Sequence, residues 1–358
     1  MRKKKVLVFG LSDRVGGVEN FYFSYYRELD LSKYQIDFVV KYNSMFNEEE
    51  VKNNGGKIYT IPKVKKHPIL HYKMLKEIIK NGNYDIINDN TVSSADITHI
   101  KLAKKYKVKK IIIPSHNSGI KTHPILKIFH IINKNKLRKL GTHYLACTKD
   151  AGDWLFGKKV NFEVLNNALD ISKFKYNQSY REEIRKELNI NDEFVIGHIG
   201  RMCYQKNQEF LVKIFKEYVN INPKSKLILI GCGKDEEIIK TEIEKLNLTS
   251  NVIIIHSDEP YKYYSAFDLF IFPSRYEGLG IVGIEAQING LPCLFSSTIP
   301  KDIKINDNIK FLPIDNIKYW LEILKENKLK RVSKINSKIN KYNIKKEVNK
   351  LNRIYQGD

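Results

Sequence analysis

Four cysteines, no long apolar run and no acidic residue between Lys101 and Lys139 are the scarcities that first bound this chain of 358 residues. Cys147, Cys203, Cys232 and Cys293 stand far apart, with no C-x-x-C pair and no Cys/His cluster at zinc spacing. A disulfide framework and a zinc module are thereby excluded, and the expectation is a reduced, cytoplasmic protein in which three of the thiols, within or at the ends of apolar runs, act as small hydrophobes. No stretch approaches the ~20 apolar residues of a membrane span. The run Val6-Leu7-Val8-Phe9-Gly10, behind the basic Met1-Arg2-Lys3-Lys4-Lys5, is too short for a signal-peptide core. Attachment at the inner face of the cell membrane is the one membrane role left open. A full G-x-G-x-x-G is also missing, which counts against an ordinary NAD site.

What is present is a chain 42% hydrophobic, enough for two cores, with a net charge of +22. Most of that excess lies in the first half, where residues 101–139 hold 12 basic side chains. Compositional drift toward Lys, Asn and Ile would load both halves alike. A one-sided basic face instead points to a polyanion, either nucleic acid or an anionic membrane.

Short β-branched runs alternate with amphipathic stretches. Strands are expected at Lys5–Gly10, Ile36–Val40, Lys57–Ile61, Asp85–Asn90, Lys110–Ser115 and Tyr144–Thr148. A second series is expected at Phe194–Gly200, Lys226–Gly231, Val252–His256, Leu269–Pro273 and Pro292–Ser296. Helices are expected at Val18–Leu29, Pro68–Lys80, Ala95–Tyr106 and Pro124–Leu140. Nearly continuous apolar strands such as Ile111-Ile112-Ile113 are those of parallel sheets covered on both faces. Two βαβ series separated by the strandless stretch from Asn166 to Asn191 predict an α/β chain of two Rossmann-like domains facing across a cleft. The boundaries expected are 1–170, 171–335 and a closing helix in 336–358, whose apolar residues fall at helical spacing from Asn336 to Tyr355.

Five strand ends carry residues suited to an anionic ligand. Gly16-Gly17-Val18-Glu19 opens a helix after the first strand, where a bare structural turn is an equal reading. Ser115-His116-Asn117-Ser118-Gly119 follows the strand Lys110–Ser115, with a capping loop histidine as the alternative. In Gly200-Arg201-Met202-Cys203-Tyr204-Gln205-Lys206-Asn207, Arg201 and Lys206 set two cations beside a helix start, as a departing diphosphate requires. Gly231 and Gly233 permit close backbone approach, or form an ordinary tight turn. The segment Glu277-Gly278-Leu279-Gly280-Ile281-Val282-Gly283-Ile284-Glu285 is the most specific. Its glycines leave a helix's first amides uncovered, and Glu285 in an apolar helix would be odd as a plain surface residue.

This segment resembles the E-x7-E signature of retaining GT-B glycosyltransferases, most closely glycosyltransferase family 4 and its bacterial enzymes of capsule and exopolysaccharide assembly. Ala151-Gly152-Asp153-Trp154-Leu155-Phe156-Gly157 and Glu285-Ala286-Gln287 through Gly290-Leu291-Pro292-Cys293 extend the likeness over essentially the whole chain. The resemblance implies hexosyl or N-acetylhexosyl transfer from a nucleotide sugar, with UDP the family's commonest carrier, to a saccharide acceptor that is lipid-linked. It assigns Arg201 and Lys206 to the diphosphate, Glu277 to hydroxyls of the transferred sugar and Glu285 to the ribose hydroxyls. It places His116 by the donor sugar, Gly16 and Gly17 by the phosphates, Gly231 and Gly233 near the nucleotide, and Gly278, Leu279 and Gly280 in the phosphate cradle. Two departures stand out: Ser296-Ser297-Thr298-Ile299-Pro300 replaces a glycine-rich loop, and Tyr264 replaces an aliphatic residue with no evident function.

No two aspartates are spaced D-x-D, so the expectation is transfer without a metal and with no cofactor. Ile125, Leu126, Ile128, Phe129, Ile131 and Ile132 are expected mostly as the buried side of a helix, its charges docking on anionic head groups. A GT-B nucleotide-sugar epimerase and a basic nucleic-acid- or membrane-binding protein are the competing readings. The first lacks a set of acid and base groups; the second lacks aromatics interleaved with its basic run, so no specific nucleic acid is expected.

Overall fold

Val6-Leu7-Val8 and Ile111-Ile112-Ile113 are almost wholly buried, because each is a parallel strand with helices on both faces. In the computed structural model, which describes residues 2–14, 16–116, 124–326 and 328–357, the strands fall into two sheets. The first holds β1 (Lys4–Phe9), β2 (Tyr34–Val40), β3 (Ile58–Thr60), β4 (Ile86–Asp89), β5 (Lys110–Ser115), β6 (His143–Ala146) and β7 (Glu163–Val164). The second holds β8 (Phe194–Ile199), β9 (Ser225–Ile230), β10 (Val252–Ile255), β11 (Leu269–Phe272), β12 (Cys293–Ser296) and β13 (Ile309–Leu312). Their orders, β3-β2-β1-β4-β5-β6-β7 and β10-β9-β8-β11-β12-β13, are alike, and every pairing is parallel. Each order reverses beside its first strand, and that reversal opens a crevice at the strands' C-terminal ends.

The chain divides into Met1–Leu169 with Lys341–Asp358, and Asp170–Asn340. In the first unit the period of two along β1 sends Val6 and Val8 to one core and Leu7 and Phe9 to the other. The former core also takes Ile344, Val348, Leu351, Ile354 and Tyr355, so the tail returns to the first unit. It is not one helix from Asn336. A 3-10 turn (Ser337–Tyr342) precedes the helix Ile344–Gln356, and the Asn343 side chain caps the latter by accepting from the Lys345 amide.

Four elements depart from the expected pattern. The strands β7 and β13 are additional. The stretch before β8 contains the helix Gln178–Glu187, anchored by Arg181 and Arg185 on Asp268 at 2.7 and 3.3 Å rather than by an apolar stripe. The helix Pro124–Leu140 forms where expected, but its burial is the reverse of the one anticipated. Ile125, Ile128, Phe129, Ile131 and Ile132 are 50–58% exposed, while His130, Asn133 and Leu137 are buried. Polar bonds hold that inner side: the Ser94 amide donates to His130 Nδ1 at 3.1 Å, and Asn133 Nδ2 donates to the Ala95 carbonyl at 3.0 Å. Trp154 stacks on His130 at 5.0 Å. No described helix is long and apolar enough to cross a membrane.

Candidate active site

In the second unit, two loops at the switch point are stitched together. The Arg275 amide donates to the Gln205 carbonyl at 2.8 Å, and Gln205 Nε2 donates to the Tyr276 carbonyl at 3.0 Å. Asn207, left-handed at φ 60° ahead of the helix Gln208–Ile221, donates through Nδ2 to the Pro273 carbonyl. These bonds bring Lys206 against Glu277, Nζ to Oε1 2.8 Å, with side chains only 15% and 7% exposed. Lys206 Nζ also lies 4.9 Å from the centre of the Phe272 ring. An ion pair so buried is weak evidence for stability, since desolvation offsets most of its attraction. At the mouth of an α/β crevice its value is as a fixed cation and a fixed acceptor. Arg201 is exposed one residue beyond Gly200.

Beside this pair begins the helix Ile281–Ile288, whose N-cap Gly280 sits at φ 81° and offers no side-chain cap. Its first amides are therefore open to an anion, aided by the helix dipole. A Cβ on Gly278 would meet nothing within 4 Å, whereas one on Gly280 would press on Phe272 at 2.9 Å. Leu279, between them, is half-buried. Glu285 comes one turn into the helix, and Tyr264 Oη donates to its Oε2 at 2.6 Å. Burial pushes the Glu285 carboxyl up to about 7, against the Tyr264 hydrogen bond and the Lys206 charge, which lower it. The substituted loop after β12 packs behind the site, Thr298 Oγ1 donating to the Ser274 carbonyl at 2.8 Å.

Gly231 and Gly233 are occupied by packing of the chain on itself. A Cβ at Gly233 would lie 2.1 Å from the Met202 carbonyl oxygen, and one at Gly231 2.4 Å from that of Gly200. The Met202 amide donates to the Cys232 carbonyl at 2.9 Å, so these glycines set the loop that carries Arg201.

In the first unit Gly16 caps the helix Gly17–Tyr26, and a Cβ on Gly17 would meet open space. Buried Glu19 holds the preceding loop, accepting from the Ser12 amide at 2.9 Å and its hydroxyl at 2.8 Å. His116 closes β5, 4.9 Å edge-on to Phe21. Its Nε2 is 3.1 Å from Asn90 Oδ1, and Asn90 Nδ2 donates to Asn88 Oδ1, so Nε2 carries the proton and Nδ1 is left as an acceptor. Burial brings His116 down to about 4 despite the pull of Asp89, so the ring is neutral. Asn117, Ser118 and Gly119 lie outside the described residues. Sequence reasoning missed Tyr264, Asn207, Gln205, Asn90 and Glu19. Their roles rest on contacts between segments, for which a single sequence carries no signal, although Glu19, Gln205 and Asn207 already stood in the quoted motifs and Tyr264 was marked as a departure without a role.

Two family models match, "Glycosyl transferase 4-like" over residues 7–148 and "Glycosyl transferases group 1" over residues 180–313. The chain is 29% identical over 303 residues to EpsF of Bacillus subtilis, named as a glycosyltransferase, covering 80% of this chain and 78% of that one. It is 34% identical over 151 residues to the capsular polysaccharide biosynthesis glycosyltransferase CapM of Staphylococcus aureus, 41% of this chain and 39% of CapM. A UDP-Gal:alpha-D-GlcNAc-diphosphoundecaprenol alpha-1,3-galactosyltransferase of Escherichia coli is 25% identical over 215 residues, 56% of this chain and 55% of that one. Among solved structures, Anabaena HepE in complex with UDP superposes with a TM-score of 0.80 at 14% identity, over 99% of this chain and 100% of HepE. A likeness at that identity is one of fold, and it agrees with the two parallel sheets. The chain therefore belongs to the GT-B glycosyltransferases, with a 4-like first unit and a group 1 second unit, and it resembles enzymes of capsule biosynthesis.

Proposed function

We propose that the enzyme transfers a hexosyl or N-acetylhexosyl group from a UDP-sugar, with retention of configuration and without a metal, to a lipid-linked saccharide of surface-glycan assembly. The observation that carries this reading is the partly buried Lys206–Glu277 pair beside the uncapped start of the helix Ile281–Ile288. Arg201, Lys206 and the amides around Leu279 and Gly280 meet the diphosphate as it departs, doing the electrostatic work that a cation does elsewhere. Glu277 accepts from hydroxyls of the transferred sugar and Glu285 from the ribose. His116, neutral at physiological pH, contributes hydrogen bonds near the donor sugar, and Gly16 and Gly17 let the first unit's backbone approach the phosphates. The acceptor hydroxyl attacks on the face the diphosphate leaves, through an oxocarbenium-like transition state, and a leaving phosphate oxygen takes its proton.

The lipid-linked acceptor is supported by the relatives' names and by the inverted helix Pro124–Leu140. Its outward Ile128, Phe129, Ile131 and Ile132, interspersed with Lys127, Lys136 and Lys139, suit an anionic bilayer. The test is transfer from UDP-glucose, UDP-galactose and UDP-N-acetylglucosamine to polyprenyl-diphosphate-linked GlcNAc in phosphatidylglycerol vesicles, with EDTA present. An α-linked product from one donor supports the reading. An inverted product, a dependence on added Mg²⁺, or epimerised donor without transfer would overturn the corresponding part.

A further inference from the structure

The residue that sequence reasoning left without a role sits at the centre of the donor half. We propose that Tyr264 is a positioning residue for donor recognition, its hydroxyl fixing Glu285 through Oε2 and leaving Oε1 to accept from the ribose. This rests on the reading of Glu285 as the ribose ligand.

Tyr264 lies in the 3-10 segment Pro260–Ser265 and is completely buried. Rings surround it, Phe270 at 5.7 Å, Phe267 at 6.1 Å and Phe174 at 6.1 Å between centroids. Among such neighbours a phenylalanine or leucine would pack as well, and a buried hydroxyl costs free energy unless it finds a partner. Its partners are Glu285 Oε2 at 2.6 Å and the Val282 carbonyl at 3.2 Å, both acceptors. The single phenolic proton goes to the carboxylate, whose separation is that of a charge-assisted O–H···O⁻ bond. Burial and the Glu285 charge hold the Tyr264 hydroxyl well above its ordinary range, so it remains a donor throughout physiological pH. Among the described residues no other side chain donates a hydrogen bond to Glu285. Tyr264 thus fixes one oxygen and stabilises the ionised form that a ribose hydroxyl needs as acceptor.

The other groups around the pair do not replace it. Lys206 acts at longer range and is bonded to Glu277. Cys293 of β12, next to Tyr264, is pushed up by burial and stays a neutral thiol. Arg331 donates to the Tyr264 and Phe267 carbonyls, and Lys173, on the turn Ile171–Phe174, lies over the Tyr261 ring.

The experiment titrates wild type, Tyr264→Phe and Glu285→Gln with UDP and with 2′,3′-dideoxy-UDP by calorimetry from pH 6 to pH 9. Tyr264→Phe keeps the ring, and Tyr264→Leu serves as a second variant should it fold poorly. The expected result is a tenfold or greater loss of UDP affinity in Tyr264→Phe at pH 7, largely regained by pH 9 as the carboxyl ionises. Its preference for UDP over the dideoxy analogue shrinks with the same pH dependence. A purely structural role would lower affinity for both ligands equally at every pH, and that outcome overturns the proposal. So does a Tyr264→Phe curve superposing on wild type while Glu285→Gln is weakened. If Glu285→Gln binds UDP as wild type does, the reading of Glu285 itself falls, and the role of Tyr264 with it.

Discussion

Changing Ile128, Phe129 and Ile132 together to serine distinguishes an apolar face turned outward from one that is part of a core. The three side chains are 57%, 51% and 50% exposed. Burying such a side chain completely is worth about 1.5–3 kcal/mol, so covering the exposed half of each contributes about 1 kcal/mol. The triple variant therefore forfeits about 3 kcal/mol of bilayer binding, roughly a hundredfold in partitioning at 1.4 kcal/mol per decade. Folding should suffer little, because the inner side is held by His130, Asn133 and Leu137, and exposed substitutions usually cost within about 0.5 kcal/mol each. Were the residues core, the same changes would cost about 2–5 kcal/mol apiece and the variant would not fold. The assay is co-sedimentation with phosphatidylglycerol vesicles at 0.05 and 0.5 M salt, alongside thermal melting. The expected outcome is a near-unchanged melting temperature with partitioning lost. A collapse of the melt, or undiminished sedimentation, refutes the reasoning.

Further outcomes follow from the second unit and the glycines. Lys206→Met leaves the partly buried Glu277 carboxylate without its cation and should lower stability by about 1–3 kcal/mol; adding Glu277→Gln should restore the urea midpoint without restoring transfer. Glu285 holds a proton in the folded state, up to about pH 7, that its unfolded form releases near 4.5, so stability falls as pH rises between those values. Glu285→Gln lacks that fall and should gain up to about 3 kcal/mol over wild type above pH 7, an advantage vanishing toward pH 4 in calorimetric scans. Identical pH profiles would contradict it. Gly233→Ala should lose stability outright, its Cβ meeting the Met202 carbonyl oxygen at 2.1 Å. Gly17→Ala should melt like wild type and weaken only the donor-dependent step.

Strands with nearly continuous apolar runs were legible because burial on both faces leaves that pattern in any parallel sheet. β13 was not, since Ile309–Leu312 is short, partly exposed and flanked by Asn306, Asp307 and Asn308. The helix Gln178–Glu187 is held by arginines on Asp268, which hydrophobic periodicity does not register. The segment 124–140 shows the limit of amphipathicity: the spacing of Ile125, Ile128, Phe129 and Ile132 marks one face. Which face turns inward was decided by Ser94, Ala95 and Trp154, far away in sequence. The eight-residue spacing of Glu277 and Glu285 was readable because a loop and one helical turn fix it locally. The stitching that aims Lys206 at Glu277, and the phenol that meets Glu285, arise only when separate segments meet.

The most direct test of donor binding is the melting temperature of wild type and Glu285→Ala with UDP, GDP and ADP in EDTA. A ligand at 100 times its Kd stabilises by about 2.7 kcal/mol, a shift of a few degrees. The account predicts such a shift with UDP, absent with GDP and ADP and lost in Glu285→Ala. No shift with any of the three, or a UDP shift unchanged in Glu285→Ala, would contradict it.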